Sequence, residues 1–323
     1  MPTRSPTFLA VLLLAATACR TDDKDPTDET PDGDDAVQPG TDDPGPSDYE
    51  PELPDSESAS FSQAAVEDAL SASIAGLNSL STQPVFDAYD DAMALSEGYC
   101  PAWYEQDGNV FWYASCTTTS GTWFDGYGFY NYYDDYFVDD DGNLWDTEYI
   151  SGAATVREDT GDTFHIGGYV QRSWTTDDNG WVGMSENLFG SFLADGAPAD
   201  SWIGAGVTPS AGVYRAFNED NPSLGGYFVA QGAVGGLGSD GDVSVFTDNF
   251  VIGSVALGLP CEDEGGGTLT VRTPDGGWWT VSYDLDLETY RMNGDCDGCG
   301  VVTDAAGQVV GEACADFSPL LTF

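Results

Sequence analysis

The chain is almost devoid of positive charge. Its 323 residues hold eight Lys and Arg together against 56 Asp and Glu, with one histidine. From residue 60 onward there is no lysine, and five arginines face forty-one acids, a net of −36. Such a field repels polyanions, so nucleic acid and anionic lipid headgroups are poor partners. The missing lysine also removes Schiff-base chemistry, and neither a P-loop nor a dinucleotide fingerprint is present. His165 sits in TFHIGGY with no G-x-S-x-G elbow to serve, which argues against a Ser–His–acid triad. Long apolar runs are missing too. The single one, residues 8–18, falls short of the roughly 20 residues a spanning helix needs and suits a secretory h-region instead.

That apolar run ends in Ala16-Thr17-Ala18-Cys19, small residues before a cysteine. Residues 1–19 resemble the signal segment and lipobox of bacterial lipoproteins, with Ala16 where Leu is more usual. The resemblance implies a signal peptide of residues 1–18, acylation of Cys19, and a lipid anchor in a membrane. Arg20, rather than Asp, after that cysteine implies the cell outer membrane by the sorting habit of the family. Residues 20–59 are Asp, Pro, Thr, Gly and Ser with fifteen acids and two bases. A segment this polar and self-repelling buries too little to offset its ordering entropy and reads as a disordered tether. Its reach is at most roughly 130–140 Å.

Setting Cys19 aside leaves six cysteines: Cys100, Cys116, Cys261, Cys296, Cys299 and Cys314. An even number in an exported chain implies disulfides. Cys100 and Cys116 flank two strand-like runs around Asp107-Gly108, a hairpin that brings them together. Cys299 and Cys314 flank a second strand–turn–strand, which leaves Cys261 for Cys296. The Cys296-x-x-Cys299 spacing lacks the βα setting of a redox motif.

Helical periodicity is confined to residues 62–97. Ser60-Phe61-Ser62-Gln63 resembles a capping box, and Val66, Leu70, Ile74, Leu77 and Leu80 follow at helical spacing. Pro84 opens a second helix carrying Phe86, Tyr89 and Met93, and Gly98 closes it. After Cys100, aromatic and β-branched runs alternate with turn pairs such as Asp107-Gly108, Asn179-Gly180 and Asp275-Gly276. The expected fold is mainly β: one domain over residues 60–323, a meander sheet of about 10–12 antiparallel strands, twisted or half-barrel or sandwich, with the helices packed on it. Many strands carry internal glycines (Gly126, Gly128, Gly152, Gly168, Gly190, Gly232, Gly253). These either align as a furrow for the Ala-rich helix or supply curvature.

Two candidate sites emerge. Asn293, Asp295, Asp297 and Asp304, with Gly298, match positions 1, 3, 5, 12 and 6 of an EF-hand loop, so Ca²⁺ is the one cofactor to consider. Two cysteines inside the loop and the absence of flanking helices favour a disulfide-constrained turn. The second candidate is TWFDGYGFYNYYDDYFV, aromatic on both alternating faces. Trp123, Asp125, Tyr127, Asn131 and Tyr133 combine rings with a carboxylate and an amide, as a glycan-binding strip does, although Trp and Tyr also fill sheet cores. The whole chain resembles acidic, cysteine-paired lipoproteins of the myxobacterial type, a kind without an assigned activity. The expected role is therefore non-enzymatic: binding or structural work at the envelope with a protein, glycan or lipid partner. The alternatives are an apolar-ligand carrier with a concave sheet and a secreted hydrolase using carboxylates.

Overall fold

The computed structural model describes residues 59–322 apart from 107, 140–141, 159–160, 194–210, 240–241, 288 and 290. The signal segment, Cys19 and the tether lie outside these residues.

Among the described residues, two α-helices precede fifteen strands. Helix α1 (Gln63–Ser79) buries Val66, Ala69, Leu70, Ser73, Ile74 and Leu77 along one stripe. Its N-cap is Ser62, whose hydroxyl accepts from the Ala65 amide at 3.4 Å, so the expected cap at Ser60 is displaced by two residues. Helix α2 (Gln83–Ala94) has Pro84 in its first turn, where a missing N–H costs nothing, and buries Val85, Phe86, Tyr89 and Ala92. It ends at Ala94, before the expected Gly98.

The strands are β1 (Ala102–Gln106), β2 (Asn109–Thr117), β3 (Trp123–Val138), β4 (Leu144–Glu158), β5 (Gly161–Thr176), β6 (Trp181–Leu193), β7 (Ala211–Asn218), β8 (Gly226–Leu237), β9 (Val243–Gly253), β10 (Thr268–Arg272), β11 (Trp278–Ser282), β12 (Leu285–Asp286), β13 (Arg291–Met292), β14 (Cys299–Thr303) and β15 (Val309–Cys314). Thirteen of them form one antiparallel sheet in chain order, β1 through β11 and then β14 and β15, while β12 and β13 pair separately. The sheet is open, with β1 and β15 as its edges. All three expected disulfides are present, Cys100–Cys116, Cys261–Cys296 and Cys299–Cys314.

Both helices lie on one face, which is the covered face. There Ile150, Val156, Phe164, Ile166, Val170 and Leu188 are buried with the helix stripes in one continuous core. Helix α1 packs over β8, β9, β10 and β15, and α2 over β5. Tyr89 of α2 stacks on Tyr130, meets Phe164 edge-on, and accepts a hydrogen bond from Trp112 Nε1 at 3.1 Å.

The glycines do align, but for curvature. Gly128, Gly152, Gly168 and Gly190 are register partners on β3 to β6. A Cβ on Gly168 or Gly190 (φ +152° and +103°) would fall 1.9 and 2.0 Å from carbonyl oxygens of the neighbouring strand, Phe189 O and Gly167 O. The row is therefore a bend in the sheet that only glycine permits. Helix α1 lies elsewhere, and Trp112 covers Gly128 instead.

The turn between the helices is held by charges from the sheet. Arg215 on β7 donates through Nη2 to the carbonyls of Leu77, Asn78 and Leu80, satisfying the end of α1. Glu186 on β6 accepts from the Thr82 amide (2.8 Å), the Thr82 hydroxyl (3.0 Å) and Ser81, capping the start of α2. The two side chains pair at 2.9 Å and are nearly buried. Each charge has the sign that the adjoining helix end favours. Next to them Arg172 pairs with Glu148, hydrogen-bonds Gln83 and lies over the Phe86 ring. Glu148, Arg172 and Glu186 face one another in register on β4, β5 and β6, with alternating sign.

Candidate functional site

The other face of the sheet carries no α-helix among the described residues. Registers place its side chains in rows that cross the strands. One row is Tyr104, Phe111, Phe129, Ser151, Tyr169 and Phe189. The next is Asn109, Asn131, Tyr149, Gln171, Asn187, Gly212 and Gln231. A third is Tyr133, Thr147, Ser173, Ser185, Tyr214 and Val229. No charged residue occupies any of the three. In a chain this acidic, the exclusion of every carboxylate from the first two rows, whose members other than Asn131 keep some exposure, is the most distinctive feature of this face, while Thr147, Ser173, Tyr214 and Val229 of the third row are buried.

The rings form a ladder. Successive centroids lie 5.1 Å apart for Tyr104–Phe111, 4.8 Å for Phe111–Phe129, 5.8 Å for Phe129–Tyr149, 5.7 Å for Tyr149–Tyr169 and 5.3 Å for Tyr169–Phe189. Neighbouring strands sit about 4.8 Å apart, so one ring per strand brings each within stacking range of the next. Tyr169 and Phe189 are nearly parallel, at 4°. The stacked members thus spend their faces on one another and present edges and hydroxyls outward. Beside the ladder, Asn131 donates to Asn109 Oδ1, which also accepts from Tyr133 at 3.1 Å, and the Thr147 and Ser173 hydroxyls bond at 2.8 Å. Further along this face Trp145, Tyr214, Ala216, Val229 and Val251 form a second, smaller core against Phe137, Tyr227 and Leu287.

All five candidates from the stretch TWFDGYGFYNYYDDYFV lie on this face. Tyr127 is 49% exposed beside Tyr113 at 57%. Trp123 carries Arg157 over its ring at 5.1 Å, and Asp125 is half-buried. Asn131 is fully buried, so it braces neighbours and is not a surface contact. The other alternating set, Phe124 and Tyr130 with Gly128, belongs to the covered face. Burial and the nearby Glu148 carboxylate push the Tyr130 phenol well up. Tyr89 is pushed up to about 12, chiefly by burial. The ladder as a whole is beyond the reach of periodicity, because its members come from six strands whose register is invisible in the chain.

The fold does not assemble the expected calcium loop. Asp297 Oδ1 accepts from the Cys299 amide, and Asp304 Oδ1 accepts from Ala306 and Gln308, closing the β14–β15 hairpin. These two acids flank opposite ends of β14, a separation of roughly 17 Å at strand rise. The Asn293 amide donates to the Asp284 carbonyl, and Asp295 is exposed. One ion therefore cannot collect Asp297 and Asp304 together. Among the described residues, the potential ligands gathered within 4.8 Å are Cys299, Glu312 and Cys314, and the two sulfurs are already joined to each other. Near this region Glu264 is buried, accepting from the Asp284 and Asp297 amides. Loss of hydration pushes its carboxyl above the usual range.

A shallow hollow of about 480 Å³ is lined by Glu97, Gly98, Tyr99, Cys100, Thr117, Thr118 and Thr119. The Glu97 carboxylate is committed to the Thr119 amide and hydroxyl and the Ser120 amide, which hold it below the ordinary range. It is a turn cap. His165 shares a 3.0 Å hydrogen bond with Thr155 on the next strand. Comparison with known proteins finds no matching family model, no matching curated sequence and no matching solved structure.

Proposed function

We propose that this protein is an exported lipoprotein, anchored through Cys19 in the cell outer membrane, that performs non-catalytic binding at the envelope with its uncovered sheet face. The observation that supports this reading is the exclusion of charge from the two adjacent half-exposed rows of an otherwise acidic chain. A carboxylate-covered surface repels most envelope components and carries a large desolvation cost on contact. A face of amides, hydroxyls and ring edges meets an uncharged partner without that cost. Glycans and neutral protein surfaces share the required chemistry.

The anchor and the binding face are tested separately. Metabolic labelling with a fatty-acid analogue should mark the wild-type chain and leave Cys19→Ala unlabelled; an unlabelled wild type removes the anchor. Replacing Tyr113 and Tyr127 by Ser should abolish retention on isolated envelope fractions while preserving the circular dichroism spectrum. Equal retention of wild type and variant would remove the binding face.

A further inference from the structure

The two edges of the sheet are not equivalent. Edge β15 is tied to β14 by the Cys299–Cys314 disulfide, packed by α1, and bonded through the Cys314 amide to Glu67. Edge β1 is tied to β2 only at its start, by the Cys100–Cys116 disulfide two residues before it, and is covered on neither face. All five of its residues are exposed, with Trp103 at 59% and Tyr104 at 44% on opposite faces. It contains no proline, lysine or bulge; of the devices that stop an edge from pairing it has its short length and one carboxylate, Glu105.

We propose that β1 is a pairing edge through which two copies of this chain join, β1 to β1 and antiparallel. The β1–β2 hairpin closes on the pair Gln106–Asn109, with two residues between them in the turn. In such a tight hairpin that pair is hydrogen-bonded and alternate pairs follow, so Tyr104 and Ala102 bond inward to β2. The backbone groups of Trp103 and Glu105 then point outward, unpaired among the described residues. An antiparallel partner centred on Tyr104 uses them: Trp103 of one copy exchanges bonds with Glu105 of the other, and the two Tyr104 residues face each other on the two-fold axis.

Ring stacking favours a second copy as the occupant, and the position of Glu105 selects its register. Glu105 is the lone charge on β1, and this register sets it against Trp103, never against its own equivalent. A shift of one residue toward the hairpin turn would oppose the two carboxylates directly, which the overall net charge makes costly. The aromatic ladder, for its part, runs to this edge and ends there. Tyr104 stacks one face on Phe111 at 13°, with no ring on its edge side among the described residues. The pairing sets Tyr104 against Tyr104 and continues the ladder across the axis from one copy into the other.

Full-length chains carrying Tyr104→Cys or Tyr113→Cys test this under mild oxidation. The axial pair is a non-hydrogen-bonded one with Cα atoms about 4.5 Å apart, within disulfide reach, so Tyr104→Cys should form covalent dimer about tenfold or more faster than Tyr113→Cys. Wild type should sediment as a dimer, increasingly so as added salt screens the like charges. Glu105→Pro removes an outward N–H and no inward one; it should sediment as monomer with an unchanged melting curve. Equal crosslinking at 104 and 113, a wild type that stays monomeric in high salt, or a dimeric Glu105→Pro each overturns the proposal. A monomer that instead gains mass with an unrelated extended peptide also overturns it.

Discussion

The covered face of the sheet carries charge, and the middle of the uncovered face carries none. This inverts the usual expectation for an antiparallel sheet with one solvated side. On the covered side Glu148, Arg172, Glu186 and Arg215 lie in alternating sign beneath the helix turn, and every one has a protein partner. On the open side the polar groups are amides and hydroxyls bonded among themselves. The difference teaches where a polar group is useful. A buried ion pair is retained here because it closes two helix ends at once, a geometric task that no apolar pair performs. Carboxylates would have been easy to place in the ladder row and its neighbour, yet the open face carries Asp125 only outside them.

The largest effect should come from breaking the covered side. Arg215→Leu leaves Glu186 buried without its partner and three helix carbonyls unsatisfied. A loss of about 3–5 kcal/mol in urea unfolding is expected, and the double variant with Glu186→Leu should recover part of it. On the open side, Tyr169→Leu keeps apolar area but removes its stacks on Tyr149 and Phe189. The expected loss is about 1–2 kcal/mol, with any larger value showing that the open face supports the fold as strongly as the covered one. Ser151→Asp introduces a carboxylate into the uncharged ladder row. Stability should move by no more than about 0.5 kcal/mol, while retention on envelope fractions falls.

The last and smallest effect concerns pH. Burial raises the Glu264 carboxyl, so its contribution to stability is complete below the ordinary carboxylate pKa and is lost as pH rises through the elevated folded-state value. The urea midpoint should therefore rise as pH falls from 7 toward the carboxylate range. Glu264→Gln should flatten that rise; an identical slope in both proteins would show that general charge repulsion alone sets the trend.

Much of this architecture is legible in the chain. Turn pairs and aromatic runs point to a meander, helical spacing at Val66, Leu70, Ile74 and Leu77 points to α1, and local hairpins pair the cysteines. The main sheet holds thirteen strands against the 10–12 expected, and the two-residue strands β12 and β13 pair outside it. The calcium spacing misleads because loop periodicity carries no knowledge of β14, whose extended backbone drives Asp297 and Asp304 apart. The helix-capping pair is the least visible feature, since Glu186 and Arg215 are distant in sequence from Leu77 and Thr82. One signal does exist: with five arginines among forty-one acids, each arginine placed inside a strand is a candidate for a structural task.

The strictly sequential strand order has a consequence for how the molecule comes into being. A strand that pairs with its immediate predecessor needs no later partner, so the sheet can grow as the chain emerges, one hairpin at a time. Helix α1 is made before any strand, yet it packs over β8 to β10 and β15, and Glu67 meets the Cys314 amide 247 residues away. Its apolar stripe therefore has no final home until the last strand arrives. The growing sheet can be secure early, while the helix that seals it waits for the last strand, and its apolar stripe stays exposed in that interval.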